Sequence, residues 1–278
     1  MKDQPRILGG AYELERPLGR GSMGVVYRGK RLADGGAVAV KLIHSDLTRD
    51  GEVRARFERE IATTAQVDHP GIVKVLDHGV EGSTLFLVME LLRGRTLGQV
   101  CAQEAPLPPA RVADIGAQVA RSLQAAHESG LVHRDLKPEN VMVCKDADGN
   151  DLVRLLDFGL AIGLDPSKPT GARMTAQGLR LGTPAFMAPE YITSGQLDHR
   201  SDLYSLGIML YELACGELPF RGQGFQLMSH HISTVPEPLA SRADVPQALG
   251  AVVDRLLAKE PDDRFPSGGA LAEALEAV

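Results

Sequence analysis

The hydrophobic period of this chain changes once, near residue 94, and that change limits what it can fold into. Before it, Tyr12 to Leu18, Val25 to Leu32, Ala37 to Ile43, Ile72 to His78 and Thr84 to Glu90 read as five strands. Turn signals part them, among them Asp34-Gly35-Gly36 and Glu81-Gly82-Ser83. One helix interrupts them, the amphipathic Val53 to Val67. After Arg93-Gly94 the spacing is helical. Ala110 to Ser129 follows Pro108-Pro109 and stops at Gly130. Leu203 to Cys215 is mostly apolar, so it reads as a buried helix, and Leu249 to Ala258 and Gly269 to Val278 follow. Strands first and helices afterwards predict an α+β fold. It has a small β lobe with one helix over about 11–90 and a larger, mainly α lobe over about 95–275.

Composition narrows the function classes. A chain of 278 residues, 44% hydrophobic, can bury a large core as one long domain or two lobes. Its net charge is −6 and no basic stripe argues for nucleic acid. Cys101, Cys144 and Cys215 are too widely spaced for a zinc or C-x-x-C pattern. They read as free thiols in a reducing, cytoplasmic compartment. No apolar signal region follows Met1, and no run is long enough to span a bilayer.

The chemistry concentrates in His133-Arg134-Asp135-Leu136-Lys137-Pro138-Glu139-Asn140. A carboxylate, an ammonium and an amide at fixed spacing in one loop suit transfer of a phosphoryl group to a hydroxyl. Asp135 can accept the hydroxyl proton, Lys137 can neutralise charge on the moving group, and Asn140 can hold a metal ion. Upstream, Gly19-Arg20-Gly21-Ser22-Met23-Gly24-Val25-Val26 reads G-x-G-x-x-G-x-V. Glycine lets backbone approach phosphate oxygens closely. The strand-like continuation separates this motif from a dinucleotide-binding loop, which opens a helix. Lys41 is the one charge in an apolar strand and needs a partner. Glu60 in the following helix is preferred, with Glu58 as the competitor. Asp157-Phe158-Gly159 ends a strand-like run, which suits a metal ion on the β- and γ-phosphates.

These segments, followed by Gly182-Thr183-Pro184, Ala188-Pro189-Glu190, Asp202-Leu203-Tyr204-Ser205-Leu206-Gly207 and Arg264, resemble a eukaryotic-type (Hanks-type) Ser/Thr protein kinase catalytic domain. The likeness covers roughly residues 11–275, and Tyr204 in place of the usual Trp points to a bacterial relative. It implies a bilobal kinase fold with an antiparallel small lobe and a hinge at about 90–94. It implies ATP and Mg2+, or Mn2+, as cofactors. Leu18, Val26 and Ala39 would lie above the adenine and Met142 below it. Met89 takes the gatekeeper position, and the backbone of Glu90 and Leu92 would bond the adenine edge. Asp202 would bind the backbone of the catalytic loop, and Glu190 and Arg264 would form a buried ion pair. His133 and Phe158 would stack in an apolar column with Val75 and Thr64, where Thr64 departs from the bulky apolar residue usual in the family.

Substrate class and regulation also follow from the likeness. Lys137 and the Gly182-Thr183-Pro184 segment resemble Ser/Thr kinases, with Thr183 bonding Asp135 and Lys137. Arg134 implies control by a phosphate on the loop from Leu160 to Met187, where Thr175 is the favoured site and Thr170 the second. Ile162 stands where relatives often have a basic residue, so the phosphate would rest on Arg134 and Arg56. The expected partners are protein substrates and a transient homodimer for trans-autophosphorylation. Many bacterial relatives continue into a membrane anchor and sensor, so this chain could be the cytoplasmic part of a longer protein. The alternatives are a pseudokinase scaffold, which typically lacks Lys41, Asp135 or Asp157, and a small-molecule phosphotransferase, which lacks Ala188-Pro189-Glu190 and Arg264. Asp146-Ala147-Asp148-Gly149-Asn150-Asp151 has its glycine at the fourth position and reads as a hairpin turn, not a calcium loop.

Overall fold

The β-branched runs of the first third pair as neighbours wherever a short turn joins them. A computed structural model of the chain describes residues 6–21, 24–44, 51–82, 84–158, 184–242 and 244–278. Two units result. One holds the described residues up to Asp68 together with Val73–Arg93; the other holds His69–Ile72, Gly94–Phe158 and the described residues after 183.

The first unit contains β1 (Ile7–Leu8), β2 (Tyr12–Arg20), β3 (Gly24–Arg31), β4 (Ala37–Ile43), α1 (Gly51–Thr64), β5 (Val75–Glu81) and β6 (Thr84–Glu90). Its strands form one antiparallel sheet in the order β1-β2-β3-β4-β6-β5. Cross-strand partners share a face. Val26 opposes Lys41, Lys41 opposes Leu87, and Ala39 opposes Met89. With the two-residue pleat, Val26, Ala39, Lys41 and Met89 therefore lie on one face. The other face carries Val38, Val40, Leu42, Phe86 and Val88, which pack with Leu8, Tyr12 and Leu14 into a core.

The second unit contains β7 (Gly94–Thr96), α2 (Leu97–Glu104), α3 (Pro109–Glu128), β8 (Val141–Lys145), β9 (Asp151–Leu155), α4 (Pro189–Ser194), α5 (His199–Cys215), α6 (Gly224–Ser233), α7 (Leu239–Arg242), α8 (Gln247–Leu256) and α9 (Gly268–Glu276). α3 packs on α5 and α9. A Cβ on Gly116 of α3 would sit only 3.0 Å from Leu210 and Leu275, so the small residue permits this close approach. α5 is buried along most of its length. β8 and β9 form a hairpin whose turn is closed by Asp146 Oδ1, which accepts from the backbone N–H groups of Asp148 (2.9 Å) and Asn150 (2.8 Å). The Asp-rich segment is thus a turn.

The structure departs from the sequence reading at element ends. β5 starts at Val75, not Ile72. Ile72 follows Pro70-Gly71 and instead bridges Leu155 in the second unit, where Leu155 N–H also donates to Gly71 O (2.7 Å). α5 starts at His199, not Leu203, because Asp198 and Ser201 form a capping box. α2 was not anticipated, although Thr96-x-x-Gln99 caps it in the same way. Among the described residues no helix is long and apolar enough to cross a membrane.

Candidate active site

The loop that follows α3 is fixed from below by one buried carboxylate. α3 ends at Glu128, and Gly130, with φ 74°, turns the chain away from the helix two residues later. Asp202, in the first turn of α5, is 1% exposed. Its Oδ2 accepts the backbone N–H of His133 (2.8 Å) and its Oδ1 accepts that of Arg134 (3.0 Å). Arg134 has φ 67°, a left-handed conformation that costs a non-glycine residue on the order of 1–3 kcal/mol. The two amide bonds to Asp202 hold it there. Binding of the loop backbone by Asp202 is thus as the resemblance implied.

Beyond Arg134 the polar side chains converge. Lys137 Nζ donates to Asp135 Oδ2 at 2.5 Å. Asn140 Nδ2 donates to the Asp135 carbonyl oxygen at 2.8 Å, with a longer contact of 3.4 Å to Asp135 Oδ2. A 3-10 turn, Pro138–Asn140, makes this possible by bringing Asn140 back towards Asp135. Asn140 is 8% exposed and Asp135 and Lys137 are half-buried.

The segment after β9 is pinned to the same loop. Leu156 N–H donates to Asn140 O (2.9 Å), and Leu156 O lies 2.9 Å from His133 Nε2. The next residue, Asp157, has φ 60°, which Asp tolerates better than most residues. Phe158 is buried and its ring packs against His133 with centroids 4.7 Å apart, tilted by 55° rather than stacked as the resemblance implied. With its Nδ2 spent on Asp135, Asn140 offers its amide oxygen as a ligand atom. An amide oxygen and the Asp157 carboxylate are hard donors of the kind magnesium takes, so this pair fits that ion. Among the described residues no cluster of three His, Cys, Asp or Glu could hold another metal.

In the first unit, Lys41 is 5% exposed on β4, on the face it shares with Val26, Ala39 and Met89. Glu60 and Glu58 are both half-buried on α1. Met89 is buried, Val26 and Leu92 are half-buried, and Leu18 is 43% exposed. Glu90 Oε1 accepts from Lys74 N–H (2.7 Å), which ties the end of β6 to the start of β5. Thr64 is buried, with Oγ1 donating to Glu60 O (2.8 Å), and Val75 is half-buried on β5. Met142 is half-buried on β8 of the second unit, opposite Thr96.

The three glycines of the turn are not alike. A Cβ on Gly24 would lie 1.9 Å from the Leu42 carbonyl oxygen, so the sheet itself requires glycine there. A Cβ on Gly19 or Gly21 would meet no described atom within 4 Å. Gly21 N–H closes the turn on Gly24 O at 2.9 Å.

Away from the loop, Arg264 is 1% exposed and all five of its donors are used. Nη1 and Nη2 each reach one Glu190 oxygen at 2.8 Å, and the remaining donors go to the carbonyls of Ala258, Arg200 and Lys259. Ser201 Oγ adds a bond to Glu190 Oε1 (2.7 Å). The expected ion pair is present, with Arg264 buried and Glu190 half-buried, and with more partners than a sequence can announce. His127, which carries no motif signal, also reaches this scaffold: its Nε2 lies 2.8 Å from Asp202 Oδ2. Thr183, Gly159, Ile162, Ser167, Thr170 and Thr175, and the Arg56 side chain, lie outside the described residues.

Comparison with known proteins agrees with this geometry. The family model for the protein kinase domain matches residues 12–275. The chain is 39% identical over 276 residues to serine/threonine-protein kinase pkn2 of Myxococcus xanthus, covering 98% of this chain and 33% of that one. It is 38% identical over 267 residues to serine/threonine-protein kinase PknH of Mycobacterium bovis, covering 95% of this chain and 43% of that one. The chain thus spans less than half the length of either relative. The crystal structure of the Mycobacterium tuberculosis PknI kinase domain superposes with a TM-score of 0.75 at 29% identity, covering 98% of this chain and 97% of that one. From the family match across almost its whole length, this chain belongs to the protein kinase domain family.

Proposed function

We propose that this chain transfers the γ-phosphoryl group of Mg-ATP to serine or threonine hydroxyls of proteins. The observation that carries the reading is the contact of Asp135, Lys137 and Asn140 in a loop whose backbone is fixed by buried Asp202. Asp135 orients the acceptor hydroxyl and takes its proton. Lys137, now ion-paired to Asp135, neutralises charge on the phosphoryl group in flight, and the family resemblance assigns Thr183 the role of bonding both. Asn140 and Asp157 would hold magnesium, which when bound neutralises the phosphate charge. Lys41, paired with Glu60, aims at the α- and β-phosphates, and the turn Gly19, Gly21, Gly24 covers them. Leu18, Val26, Ala39, Met89 and Met142 line the adenine, with the backbone of Glu90 and Leu92 bonding its edge. The domain runs over 11–275, with its hinge at 90–94.

Regulation belongs to the same proposal. A phosphate on Thr175, or second on Thr170, would be met by Arg134 and Arg56 and would order the loop, with autophosphorylation in a transient homodimer. The relatives are longer than this chain, which supports reading it as the catalytic part of a longer protein; a cytoplasmic place beside a membrane anchor is part of the same proposal. Turnover of the activated enzyme should be about 1–100 per second.

The test is phosphate transfer from Mg-ATP to a generic protein acceptor, with phosphosites mapped by mass spectrometry. Asp135→Asn should lower transfer by about 10²–10⁴-fold while ATP still binds. Transfer to Ser or Thr that survives in Asp135→Asn would refute the assignment. Thr175→Ala should lower activity; full activity with an unphosphorylated loop would refute that part alone.

A further inference from the structure

Four basic side chains and two aromatic rings meet where the end of α6 packs on α5. His231, in the last turn of α6, is fully buried. Its Nδ1 lies 3.0 Å from Tyr204 Oη, and its Nε2 meets no hydrogen-bonding group among the described residues. The Phe220 ring lies edge-on to His231 at 5.0 Å and face to face with His230 at 6.2 Å. Lys259 Nζ stands 4.6 Å over Phe220 and 5.9 Å over Tyr204, and it donates to His230 O at 3.4 Å. The Arg264 guanidinium lies 4.9 Å from the Tyr204 centroid. Glu190 of α4 is the carboxylate at hand, and Arg264 takes both of its oxygens.

A proton on His231 would thus be buried beside Lys259 and His230 while Glu190 is already engaged. Burial first, then those two neighbours, hold the pKa at about 4. Away from this place the imidazole would titrate near its ordinary 6.5. The docked α6 therefore keeps its full stability above pH 6.5 and loses it as pH falls to about 4. Lys259 acts with the same sign at higher pH. Burial first, then Arg264, lower its pKa from 10.5 to about 8, so its part is lost as pH falls from 10.5 to about 8.

We propose that this cluster is an acid-operated latch on α6 that sets how firmly the protein-acceptor side of the site is held. α6 packs on α4 and on the turn Pro184–Phe186, whose Phe186 O accepts from Ser205 Oγ at 2.7 Å. That turn follows directly on Thr183, which the proposed function sets against Asp135 and Lys137. Release of α6 removes the packing behind the turn, so acceptor binding weakens while nucleotide binding does not. The inference rests on the proposed function only in its kinetic arm.

The experiment is amide hydrogen exchange of α6 in the full chain at about pH 7.5 and about pH 5, corrected for intrinsic exchange, beside KM for a generic protein acceptor and for ATP. In wild type the opening of α6 should grow by about tenfold or more at the lower pH, with acceptor KM up by about threefold or more and KM for ATP within about twofold. His231→Asn keeps a polar group for Tyr204 and does not titrate, so it should hold opening and acceptor KM within about twofold across that range. Opening of wild-type α6 that ignores pH would overturn the inference. So would an equal response in His231→Asn, or opening that grows while acceptor KM stays constant. If His231→Asn does not fold, the imidazole titration of wild-type His231 decides in its place: a midpoint below about 5 supports the latch and one near 6.5 overturns it. A wild-type chain that transfers no phosphate would sink the proposed function, while the exchange arm would still test the latch.

Discussion

The loop from His133 to Asn140 and the turn from Gly19 to Gly24 are held in opposite ways. In the loop, position is set by buried polar contacts: Asp202 on two amides, Asn140 on the Asp135 carbonyl, His133 on the Leu156 carbonyl. In the turn, one backbone bond from Gly21 to Gly24 closes the curve, and two of three glycines leave open space around them. Polar contacts of that kind couple function to stability, because each unsatisfied partner left behind costs free energy. Open space does not. Substitutions around the loop should therefore lower stability and activity together, whereas substitutions in the open part of the turn should change activity alone.

The strongest way to break this comparison is at the ion pair of the second unit. Arg264→Ala should cost about 3 kcal/mol, because it removes a fully buried guanidinium and leaves half-buried Glu190 and the carbonyls of Ala258, Arg200 and Lys259 without their shared donor. Urea unfolding would measure it, and a loss below about 1 kcal/mol, typical of exposed pairs, would show that the scaffold is not what holds this unit. Arg264→Lys should recover little, since an ammonium cannot span both Glu190 oxygens and three carbonyls. A second test uses pH. His231 is fully buried on α6, with Nδ1 at 3.0 Å from Tyr204 Oη. Burial first, then the positive charges of Lys259 and His230, lower its pKa from 6.5 to about 4. The folded chain therefore resists a proton that the unfolded chain accepts below pH 6.5. The stability this group contributes is fully present above that value and is lost as pH falls from 6.5 to about 4, up to about 3 kcal/mol. His231→Phe should flatten the fall in unfolding free energy between pH 7 and 4.5. An unchanged slope would assign the acid sensitivity to other groups.

Much of this was legible in the sequence, for physical reasons that also mark its limit. Long periodic segments such as α3 and α5 and the runs of β4 and β6 are read from side-chain spacing alone, since burying one face is what forms them. The loop residues Asp135, Lys137 and Asn140 are local in sequence, so their contact was foreseeable. The Glu190–Arg264 pair is 74 residues apart and was reached only through resemblance. β1, two residues long, exists because β2 is there to pair with, and no local signal precedes it. α2 does carry a signal, the Thr96-x-x-Gln99 box, but its eight residues are too short for a hydrophobic period to mark it. His127 had none: it is one histidine on a helix until α5 brings Asp202 beside it. The glycine motif was read with one reason for three residues, and only the register of β3 on β4 separates Gly24 from the others.

That separation gives the finest test of the comparison. Gly24→Ala must push the β4 backbone at Leu42 aside, so it should destabilise the chain by about 1–3 kcal/mol, the range of forced overpacking. Gly19→Ala and Gly21→Ala place a methyl where no described atom lies within 4 Å, and should leave unfolding within about 0.5 kcal/mol of wild type. If the turn covers phosphates, those same two variants should raise KM for ATP, because the methyl then occupies the approach of the nucleotide. The pattern is the informative part. Destabilisation by Gly19→Ala would mean that the turn is held by packing after all, and the contrast with the catalytic loop would disappear. Unchanged stability with unchanged KM would keep the contrast but remove the nucleotide from the turn. Only stable protein with weakened ATP use fits a segment whose shape is kept open for a ligand rather than filled by the chain.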